Sequence, residues 1–203
     1  MHFTTITTIA LSALASAKTI RIDSGKDGLT FSPADIKADV GDILEWHFFP
    51  QNHSVVAADF AGPCKPAAKG GFFSSWMPTA SGEGKDVFRV TVQDTKPIWF
   101  YCSQGKHCEA GMVGAVNANS NHTLVEFKAA AAKAASNESP SGGVFGGTVA
   151  AAGSTPSGTT GTNSSSPSNT SGKPSPTTNA AVSLNGMFGV AAAVVGMAVA
   201  LAA

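Results

Sequence analysis

The residues with the clearest chemical content lie in one short stretch of the sequence, where Cys102, His107 and Met112 are spaced Cys-x4-His-x4-Met. A thiolate, an imidazole and a thioether are soft donors that suit copper. A mononuclear copper site that exchanges single electrons uses two histidine nitrogens and one cysteine sulfur in a plane, with a distant axial methionine. Residues 102–112, here called the ligand loop, supply three of these four ligands. A histidine elsewhere in the chain must supply the fourth.

Few histidines are available for this fourth position, since the chain has five in all. His2 lies in a predicted secretion signal, and His122 lies beyond the last predicted strand of the domain. His47 alternates out of phase with the apolar residues of its strand, so it should face away from the core. His53 follows a predicted turn and opens the next strand, at an end of the fold that the ligand loop can reach. We therefore predict His53 as the fourth ligand, with His47 as the less favoured alternative.

The segment that must position these ligands, residues 18–128, has the pattern of β-strands. Apolar residues alternate with polar ones in several short runs, as expected for strands with one buried face. Turn-forming clusters rich in Gly, Asp and Ser separate the runs. The predicted strands lie near residues 20–22, 44–48, 53–57, 88–92, 97–102 and 114–117. Short strands at such spacing predict an all-β fold, and specifically a β-sandwich.

The N-terminus, residues 1–17, has the pattern of a secretory signal peptide. An apolar stretch leads to Ala15-Ser16-Ala17, which matches the A-x-A cleavage pattern. The segment is too short to cross a bilayer, since a spanning helix needs about 20 apolar residues. We expect the mature protein to lie in an oxidising, extracellular compartment.

The C-terminus has the pattern of a GPI-attachment signal. Residues 187–203 carry no charge, and small residues around Asn179 precede a short spacer. We predict Asn179 as the anchor residue, with residues 180–203 removed as a propeptide and the protein held on the outer face of the plasma membrane or in the cell wall. The alternative is a tail anchor that is not cleaved.

Between the domain and this signal, residues 129–179 are rich in Ser, Thr, Gly, Pro and Ala. Such a segment buries too little apolar surface to offset the entropy of ordering it, so we predict a disordered stalk. The 13 basic and 13 acidic residues of the chain cancel. This balance argues against a nucleic-acid partner.

The three cysteines, Cys64, Cys102 and Cys108, leave one thiol unpaired if a disulfide forms. Cys102 shares the phase of Ile98 and Phe100 along their strand, so it should point into the core. Cys108 can point outward, toward the Cys64 segment. We therefore predict a Cys64–Cys108 disulfide, although the sequence alone leaves the two other pairings open. Metal binding would protect the remaining thiol from oxidation.

The ligands belong to a wider pattern, which consists of His53-Ser54-Val55, Cys64, Phe100-Tyr101-Cys102, His107-Cys108 and Gly111-Met112. In this pattern the chain resembles the cupredoxins, most closely the plant phytocyanins and the fungal GPI-anchored cupredoxins. The resemblance covers about residues 18–119. It implies a Greek-key β-sandwich with one copper ion, Cu(I) or Cu(II), at one end. It also implies that His53, Cys102 and His107 form the ligand plane, with Met112 as the axial ligand.

One position departs from the family pattern. In many cupredoxins the first ligand histidine is followed by asparagine, which ties the ligand segments together. This chain has Ser54 there. We expect the serine hydroxyl to replace part of that connection.

Two functions would use the same four ligands. The first is one-electron transfer at the cell surface, which we predict, by a monomeric protein that is not an enzyme. The alternative is copper binding, buffering or delivery without a dedicated redox partner. The sequence does not identify the redox or copper-exchange partner in either case.

Two other functions and one other metal fit the sequence less well. A multicopper oxidase needs several further histidines, and only His47 and His122 remain in the mature chain. A wall protein without metal would not need all four ligands. Zinc also binds sulfur and nitrogen but rarely recruits methionine, so copper is favoured.

Four N-x-[ST] motifs are candidate N-glycosylation sites, and their asparagines are Asn121, Asn137, Asn163 and Asn169. Asn52 also begins such a motif. Because Asn52 adjoins the predicted ligand His53, we do not expect a glycan on it.

Overall fold

The computed structural model describes residues 17–156. Residues 1–16 of the predicted signal peptide lie outside this range. So do residues 157–203, with the glycosylation candidates Asn163 and Asn169 and the predicted anchor residue Asn179. None of the helices in the described range has the length and apolar character to span a bilayer.

The described chain consists mainly of short β-strands with one helix near its C-terminal end. The elements are β1 (Thr19–Ser24), β2 (Phe31–Ser32), β3 (Asp35–Ile36), β4 (Ile43–Phe48), β5 (Asn52–His53), β6 (Val56–Ala58), β7 (Met77–Pro78), β8 (Asp86–Thr91), β9 (Ile98–Tyr101), β10 (Val113–Val116), α1 (Leu124–Ala131) and β11 (Thr148–Ala151). One sheet has the order β11-β8-β4-β1-β2 and the other has the order β3-β10-β9-β6. Both sheets are mixed, because β1 runs parallel to β4 and β3 runs parallel to β10. The small pair β5-β7 stands apart from both sheets.

The core between the two sheets is built from strand residues that alternate in phase. Leu44, Trp46 and Phe48 of β4 are all buried in it, as their alternation predicts. The ring centroid of Trp46 lies 5.3 Å from that of Phe100 on β9 and 6.0 Å from that of Phe88 on β8. The chain passes repeatedly from one sheet to the other, so the predicted Greek-key β-sandwich is confirmed.

A second apolar cluster covers the outer face of the β9–β10 sheet. Trp99 and Tyr101 point to this face, opposite to Phe100, and pack with Phe127 of α1. The ring centroids of Trp99 and Phe127 are 4.9 Å apart. Thr123 caps α1, and Glu126 completes a capping box with it. The helix therefore covers the outer face of this sheet and packs beside Cys108 of the ligand loop.

The folded domain extends beyond the predicted boundary at residue 128. Helix α1 crosses this position, and β11 then adds an antiparallel edge strand to β8, with Thr148 opposite Arg89 and Ala151 opposite Asp86. Backbone hydrogen bonds form such an edge strand without large apolar side chains, which explains why composition alone assigned it to the stalk. The section 129–151 of the predicted stalk is thus part of the domain.

Candidate metal centre

The structure brings His53, Cys102 and His107 together at one end of the sandwich, with one donor atom from each within 4.8 Å of the others. The Cys102 Sγ atom lies 3.8 Å from His53 Nδ1 and 3.4 Å from His107 Nδ1. An ion bonded to sulfur at about 2.3 Å and to nitrogen at about 2.0 Å, with bond angles between tetrahedral and trigonal, would hold such atoms about 3.5–3.7 Å apart. These three residues therefore fit a single transition-metal ion.

Backbone pairing brings the ligand loop back to its starting point. Strands β9 and β10 are antiparallel neighbours, so Cys102 and Met112 meet at the same end of the sheet. The Cys102 amide donates to the Met112 carbonyl at 3.1 Å, and the Met112 amide donates to the His107 carbonyl at 2.9 Å. Inside the loop, the His107 amide donates to the Gln104 carbonyl at 2.9 Å. These bonds fix the spacing between the three loop residues before any metal binds.

Met112, the predicted axial ligand, has a fully buried side chain in the same core cluster as Cys102. His53 reaches the site from the other direction, at the end of β5, where it pairs with Met77 of β7. The site is therefore assembled from two separate parts of the sequence.

Ser54 connects these two parts. Its Oγ accepts a hydrogen bond from the Ser103 amide at 3.0 Å and lies 2.8 Å from the Ser103 hydroxyl. Its own amide donates to Cys102 Sγ at 3.4 Å. All three residues are buried. The serine hydroxyl thus makes the connection expected of it, and the amide provides a donor that favours a negatively charged sulfur.

Burial sets the protonation of the donor atoms in the absence of metal. It raises the pKa of the Cys102 thiol, and hydrogen bonds from the backbone of Gln104 and from Ser54 offset part of this rise. It lowers the pKa of both His53 and His107, so the imidazoles are neutral at pH 7. Neutral imidazole is the form that binds metal.

The two histidines differ in exposure. His53 is 2% exposed, whereas His107 is half-buried. The Nε2 atom of His53 lies 3.4 Å from the Pro50 carbonyl, and donation to that oxygen leaves Nδ1 free to bind an ion. A cleft of about 250 Å³ opens beside both rings, and its lining includes Leu29 and Gln104. Solvent therefore approaches the site beside the half-buried His107.

The predicted disulfide joins Cys64 to Cys108 in the structure. Cys102 is the remaining cysteine, and its thiol is free and buried. Cys102 belongs to the core between the sheets, whereas Cys64 and Cys108 belong to the cluster under α1. The structure therefore confirms the inward direction of Cys102 that predicted this pairing.

His47, the less favoured alternative for the fourth ligand, lies elsewhere. It points away from the apolar core, as its phase predicts, and its two ring nitrogens lie 2.7 Å from Glu45 Oε1 and 2.6 Å from Glu83 Oε1. The side chain is nonetheless buried, because this polar cluster surrounds it.

Two asparagines at the site were not recognised from the sequence as part of it. The Asn52 side-chain amide donates to Gln104 Oε1 at 3.2 Å, and so bridges the two ligand segments. The Asn137 amide donates to the carbonyls of Cys102 and Gly105. Both residues begin N-x-[ST] motifs, which point to glycans and give no indication of these contacts. Asn121 is exposed, and glycosylation there stays a prediction.

Two curated relatives from the fungus Arthroderma benhamiae are similar to this chain. The first is a probable GPI-anchored cupredoxin-1, which is 41% identical over 138 residues, 67% of this chain and 71% of the relative. The second is an extracellular serine-rich protein, which is 35% identical over 147 residues, 70% of this chain. The chain spans 57% of the length of that second relative. No family model matches the sequence.

Two solved structures match about half of the chain. Auracyanin A, a "blue" copper protein from Chloroflexus aurantiacus, is 18% identical with a TM-score of 0.37, over 50% of this chain and 98% of its own. A purple cupredoxin from Nitrosopumilus maritimus is 20% identical with a TM-score of 0.38, over 47% of this chain and 95% of its own.

Proposed function

Because this chain belongs to the cupredoxin family, we propose that it is a blue copper protein of the cell surface that carries single electrons. The observation that carries this proposal is the free, buried Cys102 thiol, whose sulfur lies within 3.8 Å of one nitrogen from each of two histidines. Bound copper would supply a one-electron couple between Cu(I) and Cu(II).

The chain's own residues would prepare the site for this role. His53, Cys102 and His107 would hold the ion, and Met112 would supply a fourth, weaker sulfur ligand. The backbone bonds of the ligand loop and the Ser54–Ser103 contact hold the donors in one arrangement. Donors held in this way would need little rearrangement when a bound ion gains or loses an electron.

Ligand burial favours electron transfer over copper delivery. Delivery requires an acceptor to reach the ligands in turn, but Cys102, His53 and Met112 are at most 2% exposed. His107 is the half-buried ligand, so its ring edge is the expected route for electrons. A carrier of this kind is not an enzyme, because it transfers an electron without transforming a substrate of its own.

The proposed location rests on the two ends of the chain and on a relative. The sequence predicts a secretory signal over residues 1–17 and a GPI anchor at Asn179. The similar fungal protein bears the name of a probable GPI-anchored cupredoxin. Attachment to the outer face of the plasma membrane would place the copper site among extracellular redox partners.

The test is to add Cu(II) to the purified protein, record its visible spectrum and follow its reduction by voltammetry. We expect an intense thiolate-to-copper charge-transfer band and a reversible one-electron wave. Cys102→Ser should abolish the band, whereas His47→Ala should leave it unchanged. A colourless protein would refute the proposal. Rapid loss of copper to a chelator, without a reversible wave, would favour the delivery function.

A further inference from the structure

The chain that follows α1 returns to the metal centre and lies against the ligand loop. The Asn137 side-chain amide donates two hydrogen bonds, both of 3.0 Å, to the carbonyls of Cys102 and Gly105. Two residues later, the Ser139 hydroxyl donates to the Ser103 hydroxyl at 2.8 Å. Segment 137–139 therefore holds the predicted ligand Cys102 and two of the residues between Cys102 and His107.

The same segment is anchored to the rest of the fold on its other side. The buried Tyr101 hydroxyl donates to the Glu138 carbonyl at 2.6 Å, and the Glu138 amide donates to the Cys64 carbonyl at 2.9 Å. The disulfide joins Cys64 to Cys108, which directly follows His107. Segment 137–139 is thus fixed to the strand before the ligand loop and to the disulfide within it.

A continuous chain of hydroxyl groups links this segment to the first ligand. Ser139 Oγ contacts Ser103 Oγ, which contacts Ser54 Oγ at 2.8 Å, and Ser54 directly follows His53. Three parts of the sequence therefore meet around Ser103. They are the end of β5, the ligand loop and segment 137–139.

We propose that segment 137–139 positions the metal centre, with Asn137 and Ser139 as the residues that hold the ligand loop in its binding geometry. Asn137 is a positioning residue and does not carry a glycan. An N-linked glycan replaces one hydrogen of the asparagine side-chain nitrogen. Both of those hydrogens are donated to loop carbonyls, so a glycan would break at least one bond.

The physical consequence concerns the distance between Cys102 and His107. The Gly105 backbone, with φ of +47°, forms the turn between them. Two amide hydrogens from one asparagine bind the carbonyl before this turn, that of Cys102, and the carbonyl within it, that of Gly105. Without them the turn can open, and the sulfur and the imidazole lose their fixed separation. The spectroscopic part of the test rests on the proposed copper site, whereas the hydrogen-exchange part does not.

The first test compares Asn137→Asp with Asn121→Asp in the purified protein. The change at 137 keeps the side-chain shape and removes both donors, and the control makes the same change at an exposed N-x-[ST] motif. Amide hydrogen exchange is measured in the metal-free protein. We expect at least tenfold faster exchange across residues 103–112 in Asn137→Asp, with unchanged protection in β4 and β8. The Asn121→Asp control should match the wild type. Uniform acceleration over the whole domain, or no change in the loop, would overturn the proposal.

A second pair of variants tests the proposal even if Asn137→Asp does not fold. Ser139→Ala removes the contact with Ser103, and Ser139→Thr keeps the hydroxyl. We expect faster exchange of the loop in Ser139→Ala and rescue in Ser139→Thr. In the copper-loaded protein, Ser139→Ala should also shift the charge-transfer band or the reduction potential, while Ser139→Thr should not. Equal behaviour of the two variants would overturn the role of Ser139.

Mass spectrometry of the secreted wild-type protein tests the glycan statement separately. We expect unmodified Asn137 in the folded protein, and a glycan on most copies would overturn that statement. If the wild type shows no copper band while the exchange results are as expected, the proposed copper function fails and the positioning of the loop stands.

Discussion

Gly25 lies directly against the ring of His53, so close that a β-carbon on Gly25 would stand 2.1 Å from His53 Nε2. Gly25 has φ of +83° in the turn after β1, where its amide donates to the Thr30 carbonyl. The bare backbone of this turn therefore covers the first histidine of the site. A residue with a side chain cannot take this position without moving the ring.

Gly25→Ala should displace His53 and weaken copper binding at least tenfold, because the new methyl group occupies the space of the imidazole. A matched control is Gly28→Ala in the same turn, where φ is +81° and no atom lies within 4 Å of the added carbon. Both changes cost about 1–2 kcal/mol for the left-handed backbone. Copper titration and thermal unfolding separate the two effects. Equal copper affinity in both variants would contradict the role assigned to Gly25.

Met112→Leu should keep the charge-transfer band and raise the reduction potential. Leucine has a similar volume, so the cost in unfolding free energy should stay below about 1.5 kcal/mol. The variant would lose only the sulfur of the proposed fourth ligand, whose donation would stabilise Cu(II) more than a hydrocarbon does. Voltammetry and visible spectroscopy on the same sample measure both properties. A lost band would mean that Met112 has a larger part in holding the ion than an axial ligand should.

The sequence predicted the parts of the site that depend on local periodicity. The alternation of Ile98, Phe100 and Cys102, along β9 and the residue after it, identified the buried thiol and, through it, the Cys64–Cys108 disulfide. The phase of His47 removed it from the site for the same reason. Such inferences need only the two-residue repeat of a strand, which tertiary contacts did not alter here.

The parts that were not predicted depend on contacts between distant residues. Asn137 lies 35 residues from Cys102, and its N-x-[ST] motif has no feature that distinguishes a hydrogen-bond donor from a glycan acceptor. Strand β11 has the sequence TVAA and is mostly exposed, so it shows neither strong alternation nor an apolar run. Strand β11 forms because it pairs with β8. The local sequence of a segment does not show whether a partner strand lies beside it.

The Cys64–Cys108 disulfide should make a large contribution to stability. It closes a loop with a sequence separation of 44, for which the chain-entropy model gives about 4 kcal/mol. The Cys64→Ala/Cys108→Ala double variant should lose about this amount in chemical denaturation of the metal-free protein. The control is Cys102→Ala, which removes a buried thiol without opening a cross-link and should cost much less. A similar loss in both proteins would show that thiol packing, and not the cross-link, provides the stability.

The polar cluster around His47 should make the metal-free domain sensitive to acid through Glu83. Its carboxylate lies 2.8 Å from Arg21 and 2.6 Å from His47. The pKa of Glu83 is lowered from 4.5 to about 2, mainly by the hydrogen bond from Arg21 and then by that from His47. Two further carboxylates face these partners, since Asp23 contacts Arg21 and Glu45 contacts His47.

The sign of the effect follows from the lowered pKa of Glu83. A carboxylate with a lower pKa in the folded state stabilises the fold fully above pH 4.5, and this contribution is lost as the pH falls toward 2. Glu83→Gln should therefore destabilise the protein at pH 7 and have little effect near pH 2. We expect about 1 kcal/mol at pH 7, since the side chain is 37% exposed and water screens such pairs. Urea denaturation from pH 7 to pH 2 measures the difference in unfolding free energy between the wild type and Glu83→Gln. The contributions of the other titrating groups largely cancel in this difference. A difference that stays constant over this range would show that the ionised Glu83 does not stabilise the cluster.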